Sequence, residues 1–379
     1  MKKRYPILLA ALALLTGGGL SVDWRLLSRA ATYPEAPITA TDWYQPIAPV
    51  PGNAPTSLPV ATTHGIPDVA IQTVSDYAAT RESRALLILH KGELVWEEYW
   101  RGYTQTDTFN AMSMSKTVVA LLLGIAIDEG YIGSVQDTVA TYLPEWGGDE
   151  RAAITLEDLL YMQSGLRNRD RTDTPFSDLV QMYLGSDVAA TALQIPSVAS
   201  PGETYDYNNA NTQVLSLVLE RATGQSYIDY LSSRLWQPLG AGDAGVWLDR
   251  PQGKPKTFCC LFATARDWAR LGQMILNGGR VADEPVVPAE WLTEMQRPSP
   301  IEPTYGYHIW VKARTADYPN VSQRANAAFL AEDTLYLDGR GQQRVYIIPS
   351  QDLVIVRVGE DPEDWHDDVI PNTLVQALQ

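Results

Sequence analysis

The sequence predicts an α/β (α+β) fold: an antiparallel sheet formed by both ends of the chain, flanked by helices, with a mostly helical second subdomain. Two observations predict it. β-prone runs cluster near the start and the end of the folded body, while residues 115 to about 276 between them read as helical. Such an arrangement leaves a cleft between sheet and helical part, where chemistry is expected.

In chain order, Met1-Lys2-Lys3-Arg4 is a basic start followed by an apolar run from Ile7 to Leu15. That pattern makes residues 1–30 a signal peptide or an N-terminal membrane anchor, so the chain is expected to be exported, periplasmic or held at the inner membrane facing the periplasm. Ser28-Arg29-Ala30 offers small residues for cleavage, Trp24 and Arg25 suit an interfacial anchor, and there is no lipobox cysteine. Residues 31–66 are proline-rich and read as an extended linker or a surface wrap, with the folded body starting near Gly65 and running as one domain over 67–379. A helix is expected at Val69–Thr80. Leu86–His90 and Glu93–Trp100, joined by Lys91-Gly92, read as a hairpin. Val118–Ile127 is too short to cross a bilayer and reads as a buried core helix. Tyr307–Lys312, Thr334–Leu337, Arg344–Ile348 and Leu353–Val358 are strand-like, and Val369–Leu378 closes the chain as a helix.

Charge narrows the partners. Over 379 residues, 29 basic against 45 acidic side chains give a net charge of −16, which repels phosphate backbones and argues against a nucleic-acid partner. Four scattered histidines and the adjacent Cys259-Cys260 offer no metal-ligand spacing, so neither metal nor cofactor is expected. Adjacent cysteines cannot staple distant segments together.

Chemistry concentrates in two places. Ser113 and Lys116 are spaced i, i+3 at a helix start, so hydroxyl and amine share one face near the positive end of the helix dipole. A desolvated lysine can take the proton that makes serine a nucleophile. On these residues alone, a capping serine with a solvated lysine reads as well. Pro201–Asn209 then sets Tyr207 and Asn209 two apart before the helix Thr212–Arg221. A phenol near an ammonium has a lowered pKa and can shuttle protons, and an amide can orient the lysine or hold a substrate carbonyl. Tyr205 is the rival phenol.

These motifs resemble the serine beta-lactamase-related superfamily, in the branch near class C beta-lactamases, D-alanyl-D-alanine carboxypeptidases, related esterases and 6-aminohexanoate-dimer hydrolases. The resemblance is collinear from about Thr80 to Gly359. It runs through Ser113–Lys116, Gly130–Asp137, Tyr142-Leu143-Pro144, Ile154–Leu166, the segment ending at Asn209, Ala222-Thr223-Gly224 and Ala263–Asp267. It implies a beta-lactamase/transpeptidase-like fold with Ser113 as acylated nucleophile, Lys116 as base and Tyr207 as proton shuttle. For the family's cleft-lining strand the best register is Gly339-Arg340-Gly341-Gln342-Gln343, with Arg340 in place of the usual cation and Gln342 where a glycine is usual. Some branches use a histidine there; none is present, and His308 and His366 read as structural. Where 6-aminohexanoate-dimer hydrolases carry a substrate-contacting tyrosine, the nearest match is Arg171, a second cation suited to a carboxylate. The implied activity is hydrolysis of a small ester or amide. Penicillin recognition (beta-lactamase or carboxypeptidase) and a non-catalytic binding role are the alternatives.

Overall fold

In the computed structural model the described residues are 22–53, 57–170, 174–314 and 327–379. The apolar run behind the export expectation lies outside them. Among the described residues no helix is long and apolar enough to cross a membrane.

Folded structure is already present at helix α1 (Trp24–Ala31), well before Gly65. Asp23 caps it by accepting from the amides of Arg25 and Leu26. Arg29 turns inward and donates to the carbonyls of Leu184, Gly185, Gln45 and Asp249, with its guanidinium 4.6 Å from the Trp247 ring centroid. Ser28-Arg29-Ala30 is therefore part of a packed helix, with Arg29 buried and Ser28 exposed. The proline-rich stretch is also no linker: Ile38, Tyr44 and Val50 are buried, and β1 (Ile47–Val50) pairs antiparallel with Ala244–Trp247. Proline is tolerated in β1 because it is an edge strand, whose outer face needs no N–H donor.

Helix α2 (Asp68–Ala79) leads into the hairpin β2 (Ser83–His90) and β3 (Glu93–Tyr99), then β4 (Thr108–Asn110) and the core helix α3 (Ser115–Asp128). The helical part follows: α4 (Val139–Tyr142), α5 (Leu156–Leu160), α6 (Asp178–Leu184), α7 (Val188–Gln194), α8 (Asn209–Thr223) and α9 (Tyr227–Leu231). β5 (Ala244–Trp247) and β6 (Leu261–Thr264) return to the sheet layer, before α10 (Ala265–Leu276), the short pair β7 (Arg280–Val281) and β8 (Glu284–Pro285), and α11 (Ala289–Met295). β9 (Leu335–Gly339), β10 (Gln343–Ile348), β11 (Leu353–Gly359) and α12 (Val369–Leu378) complete the chain.

The main sheet is antiparallel with order β3-β2-β11-β10-β9, so the two ends of the body meet at β2 and β11. Every residue of β2 is buried because helices cover both faces: α10 on one, α2 and α12 on the other. The sequence reading expected one sheet; a second, β1-β5-β6-β4, is present as well. Tyr307–Lys312 is not a strand. His308 has φ +53, which turns the chain, and only Trp310 makes bridges, to Tyr305 and Tyr336.

Candidate active site

The turn that carries Ser113 starts where β4 ends. Met112 sits at φ +50, and the Asn110 side-chain carbonyl supports this bend by accepting from the Met112 amide at 3.0 Å. Met112 and Met114 are buried on either side, leaving Ser113 half-buried at the mouth of α3. α3 is buried on all sides from Ser115 to Ala126, which carries Lys116 into the interior at 1% exposure.

The Lys116 Nζ donates to Ser113 Oγ at 2.8 Å and to the Phe258 carbonyl at 2.8 Å. Burial pushes its pKa from 10.5 down to about 7, opposed by the negative charge of Asp338. An amine at hydrogen-bond distance from the hydroxyl, and neutral in about half of the molecules at pH 7, can receive the serine proton.

Tyr207 lies on the loop before α8, with its ring centroid 5.1 Å from Lys116 Nζ. It stacks on Trp310 at 6.1 Å and meets the edge of Tyr305 at 6.0 Å. Contrary to the lowered pKa expected beside an ammonium, burial and then Asp338 push the phenol up, against a hydrogen bond with Ser113 and the charges of Arg314 and Arg344. Tyr207 therefore stays protonated at neutral pH, a donor rather than a phenolate. The Tyr205 hydroxyl is enclosed with no hydrogen-bond partner among the described residues, its ring 5.6 Å from Tyr305, whereas the Tyr207 hydroxyl bonds Ser113.

Asn209 is half-buried in the first turn of α8. It is Asn208 that caps the helix, accepting from the Ala210 amide and donating to the carbonyls of Leu166 and Arg167. The hydrogen bonds that orient Lys116 go to the Phe258 carbonyl and the Ser113 hydroxyl.

The register proposed for the cleft strand is displaced. Arg340, Gly341 and Gln342 form the turn between β9 and β10, not a strand. Arg340 is exposed there. Gln342, at φ +60, is buried; it donates to Asp361 and accepts from Arg344, so it does not narrow the cleft. Gly341 packs toward Ile38. β9 itself is the edge strand of the main sheet and lies against the turn that carries Ser113: a Cβ on Gly339 would clash with the Ala111 carbonyl. Arg171 lies outside the described residues.

Behind β9 runs a buried ionic chain. Arg314 and Arg344 both donate to the Asp338 carboxylate, and Arg344 donates again to Asp367, at 2.9 and 3.0 Å. His308 is held by Thr212 at 2.9 Å, and burial brings its pKa down to about 3, so it stays neutral and braces α8.

A serine, a buried amine and a phenol meeting at the mouth of a core helix set the comparison with known proteins. The sequence matches the family described as Beta-lactamase over residues 70–377. The chain belongs to the beta-lactamase family. It is 30% identical over 301 residues to the 6-aminohexanoate-dimer hydrolase of Paenarthrobacter ureafaciens, covering 74% of each chain. A D-aminopeptidase of Brucella anthropi is 28% identical over 167 residues, 41% of this chain and 31% of that one. A Bacillus anthracis structure assigned as a 6-aminohexanoate-dimer hydrolase shares the fold at TM-score 0.73 and 21% identity, over 90% of this chain and 92% of that one. The protein is thus a serine hydrolase of the beta-lactamase-like family with the mixed antiparallel fold expected of it.

Within this family site the residues that sequence reasoning missed are Phe258, Asp338, Arg314 and Trp310. Only Asp338 carried a signal: an acid directly after the strand-like run Leu335-Tyr336-Leu337. Phe258 acts through its backbone, which no side-chain pattern reveals.

Proposed function

We propose that this enzyme cleaves an ester or amide bond of a small, carboxylate-bearing substrate, of the 6-aminohexanoate-oligomer kind, through an acyl-enzyme on Ser113. The observation that carries the reading is the 2.8 Å contact between Ser113 Oγ and a buried Lys116 amine whose pKa falls to about 7. Neutral Lys116 takes the serine proton as Oγ attacks the carbonyl. The protonated Tyr207 hydroxyl passes a proton to the leaving group and recovers one from Lys116. The Ser113 N–H, at the positive end of α3, faces the developing oxyanion. A second donor comes from β9. The Tyr336 amide leaves the sheet to bond the Trp310 carbonyl at 2.9 Å, and residues two apart turn their N–H groups to the same side, so Asp338 presents its own beyond that bridge. Asn209 is assigned to the substrate carbonyl or amide.

The edge strand reads Leu335-Tyr336-Leu337-Asp338-Gly339, without the Lys-Thr-Gly that penicillin recognition would favour. The basic and apolar N-terminus supports export, testable by cell fractionation. A fluorophosphonate probe should label Ser113, and p-nitrophenyl esters and the 6-aminohexanoate dimer should turn over faster than nitrocefin. Labelling of Ser113→Ala at the wild-type level would remove the assignment; nitrocefin as the best substrate would replace it with penicillin recognition.

A further inference from the structure

Cys259 and Cys260 are joined by a disulfide between neighbouring residues, and both are buried. Its place in the chain is the informative point. One residue earlier, Phe258 supplies the carbonyl that holds Lys116 Nζ at 2.8 Å, and its ring lies 5.8 Å from the same nitrogen. One residue later, the Leu261 amide donates to Ser115 Oγ at 3.3 Å and the Leu261 carbonyl accepts from the Ala111 amide at 3.0 Å. The two cysteines thus link the residue that touches the base to the residue that grips the nucleophile turn and the start of α3.

Cys260 adopts φ +69, a conformation that L side chains rarely take and that glycine would adopt freely. A ring closed between neighbours removes rotations about the intervening backbone and both side chains. With two thiols, the Trp247 amide still donates to the Cys260 carbonyl at 3.1 Å, but no ring enforces the positive φ, and relaxation of the turn on the Cys259 side carries the Phe258 carbonyl with it. A catalytic group displaced by about 1 Å loses roughly a hundredfold in rate.

We propose that the Cys259–Cys260 disulfide is a positioning element for Lys116: it fixes the Phe258 carbonyl that holds the amine against Ser113, and opening it lowers turnover. This rests on the reading of Lys116 as the base. Reduction by dithiothreitol proceeds by attack of one reagent thiolate on a cysteine sulfur, breaking the S–S bond and forming a mixed disulfide. The second reagent thiol then closes the reagent's ring; two electrons and two protons leave both cysteines as thiols.

The test uses the full chain. Alkylation of the denatured, non-reduced protein should add no mass; two alkyl groups would overturn the proposal at once. Cys259→Ser/Cys260→Ser should lower kcat roughly ten- to a hundredfold while KM for a p-nitrophenyl ester stays within about threefold. Cys259→Ala/Cys260→Gly should recover most of kcat, because glycine adopts the required φ unaided. Wild-type kcat in the double serine variant overturns the proposal, since a brace that serves stability alone would move only Tm. If that variant fails to fold, wild-type enzyme reduced with dithiothreitol reads the same quantity. Loss of kcat with native circular dichroism supports the proposal; full kcat with both thiols alkylatable overturns it. Lys116→Ala, run alongside, separates the two failures. An inactive Lys116→Ala beside a fully active double serine variant removes this inference alone, whereas an active Lys116→Ala removes the reading beneath it.

Discussion

Two lysines of this protein are buried to nearly the same degree, Lys116 at 1% and Lys256 at 0% exposure, and they face different groups. In both, desolvation is the first cause that depresses the pKa. Both lie near an aromatic ring, Lys116 at 5.1 Å from Tyr207 and Lys256 at 5.0 Å from Trp247. The difference is in what the nitrogen faces. Lys256 donates to the Met182 and Gly185 carbonyls, at 2.6 and 3.1 Å, beside the Arg29 that anchors α1. Lys116 gives one hydrogen bond to a carbonyl and the other to a half-buried hydroxyl. A depressed amine is therefore not yet a base. A proton donor within reach, open to a substrate, makes it one.

Substitution should break the symmetry most strongly. Lys116→Ala should lower kcat/KM about a thousandfold or more, the scale of a lost general base, and, since it also strips a donor from the Phe258 carbonyl, Tm is read separately. Lys256→Met should leave kcat/KM within about twofold and instead change stability. It removes a buried charge's desolvation cost but strips a donor from the Met182 carbonyl, a loss of about 1–3 kcal/mol. A thousandfold loss from Lys256→Met would show that burial, not the facing hydroxyl, is what matters. The coupled partner comes next. Tyr207→Phe should lose about a hundred- to ten-thousandfold, and Lys116→Ala/Tyr207→Phe little more, because groups acting as a unit are not additive. Independent losses in that double-mutant cycle would separate the two roles.

The pH profile sharpens the same contrast with a smaller effect. Lys116 must be neutral to act, so kcat/KM should rise with pH through about 7 and fall roughly tenfold per unit below it. The Asp338 carboxylate raises the Lys116 pKa, so Asp338→Asn should move this acid limb to lower pH. An upward move would put Asp338 outside the electrostatics of the base. Stability follows the opposite partner of the equilibrium. Between about 7 and 10.5 the unfolded chain holds the proton that folded Lys116 has lost, so this lysine's contribution grows as pH rises through that window.

What the sequence disclosed and what it hid divide along physical lines. The hairpin β2–β3, the strands β10 and β11 and the closing helix α12 were legible because their apolar patterns and turn residues are local. Motifs quoted only for resemblance turn out to be structural punctuation. Thr155 with Asp158 and Thr264 with Asp267 are capping boxes for α5 and α10, and Gly224 ends α8 at φ +68. The proximity of the candidates Ser113 and Lys116 was legible because they share a helix face, and that of Tyr207 because it precedes a helix. β1 was hidden because its prolines argue against a strand, and its pairing with β5 spans nearly two hundred residues of chain. The Phe258 carbonyl and the carbonyl cage around Arg29 were hidden because backbone groups leave no trace in residue identity.

The smallest expected effect concerns the cation for the carboxylate of the proposed substrate, where neither lysine can serve because both are enclosed. Arg340 follows Gly339, the residue pressed against Ala111 at the base of the nucleophile turn, and its side chain is exposed. An exposed guanidinium is screened, so its ion pair with a substrate is worth about 1 kcal/mol or somewhat more when the charge-assisted bond is bidentate. Arg340→Ala should accordingly raise KM for an acidic ester about three- to tenfold and leave a neutral short-chain ester nearly unchanged. Arg340→Lys should recover only part, since an ammonium lacks the planar fork. High salt should erase the difference between wild type and Arg340→Ala, as screening requires. The same pair of substrates on Arg171→Ala assigns the role if it lies there instead. A ratio of the two specificity constants that stays at the wild-type value in Arg340→Ala would exclude the β9–β10 turn from substrate recognition.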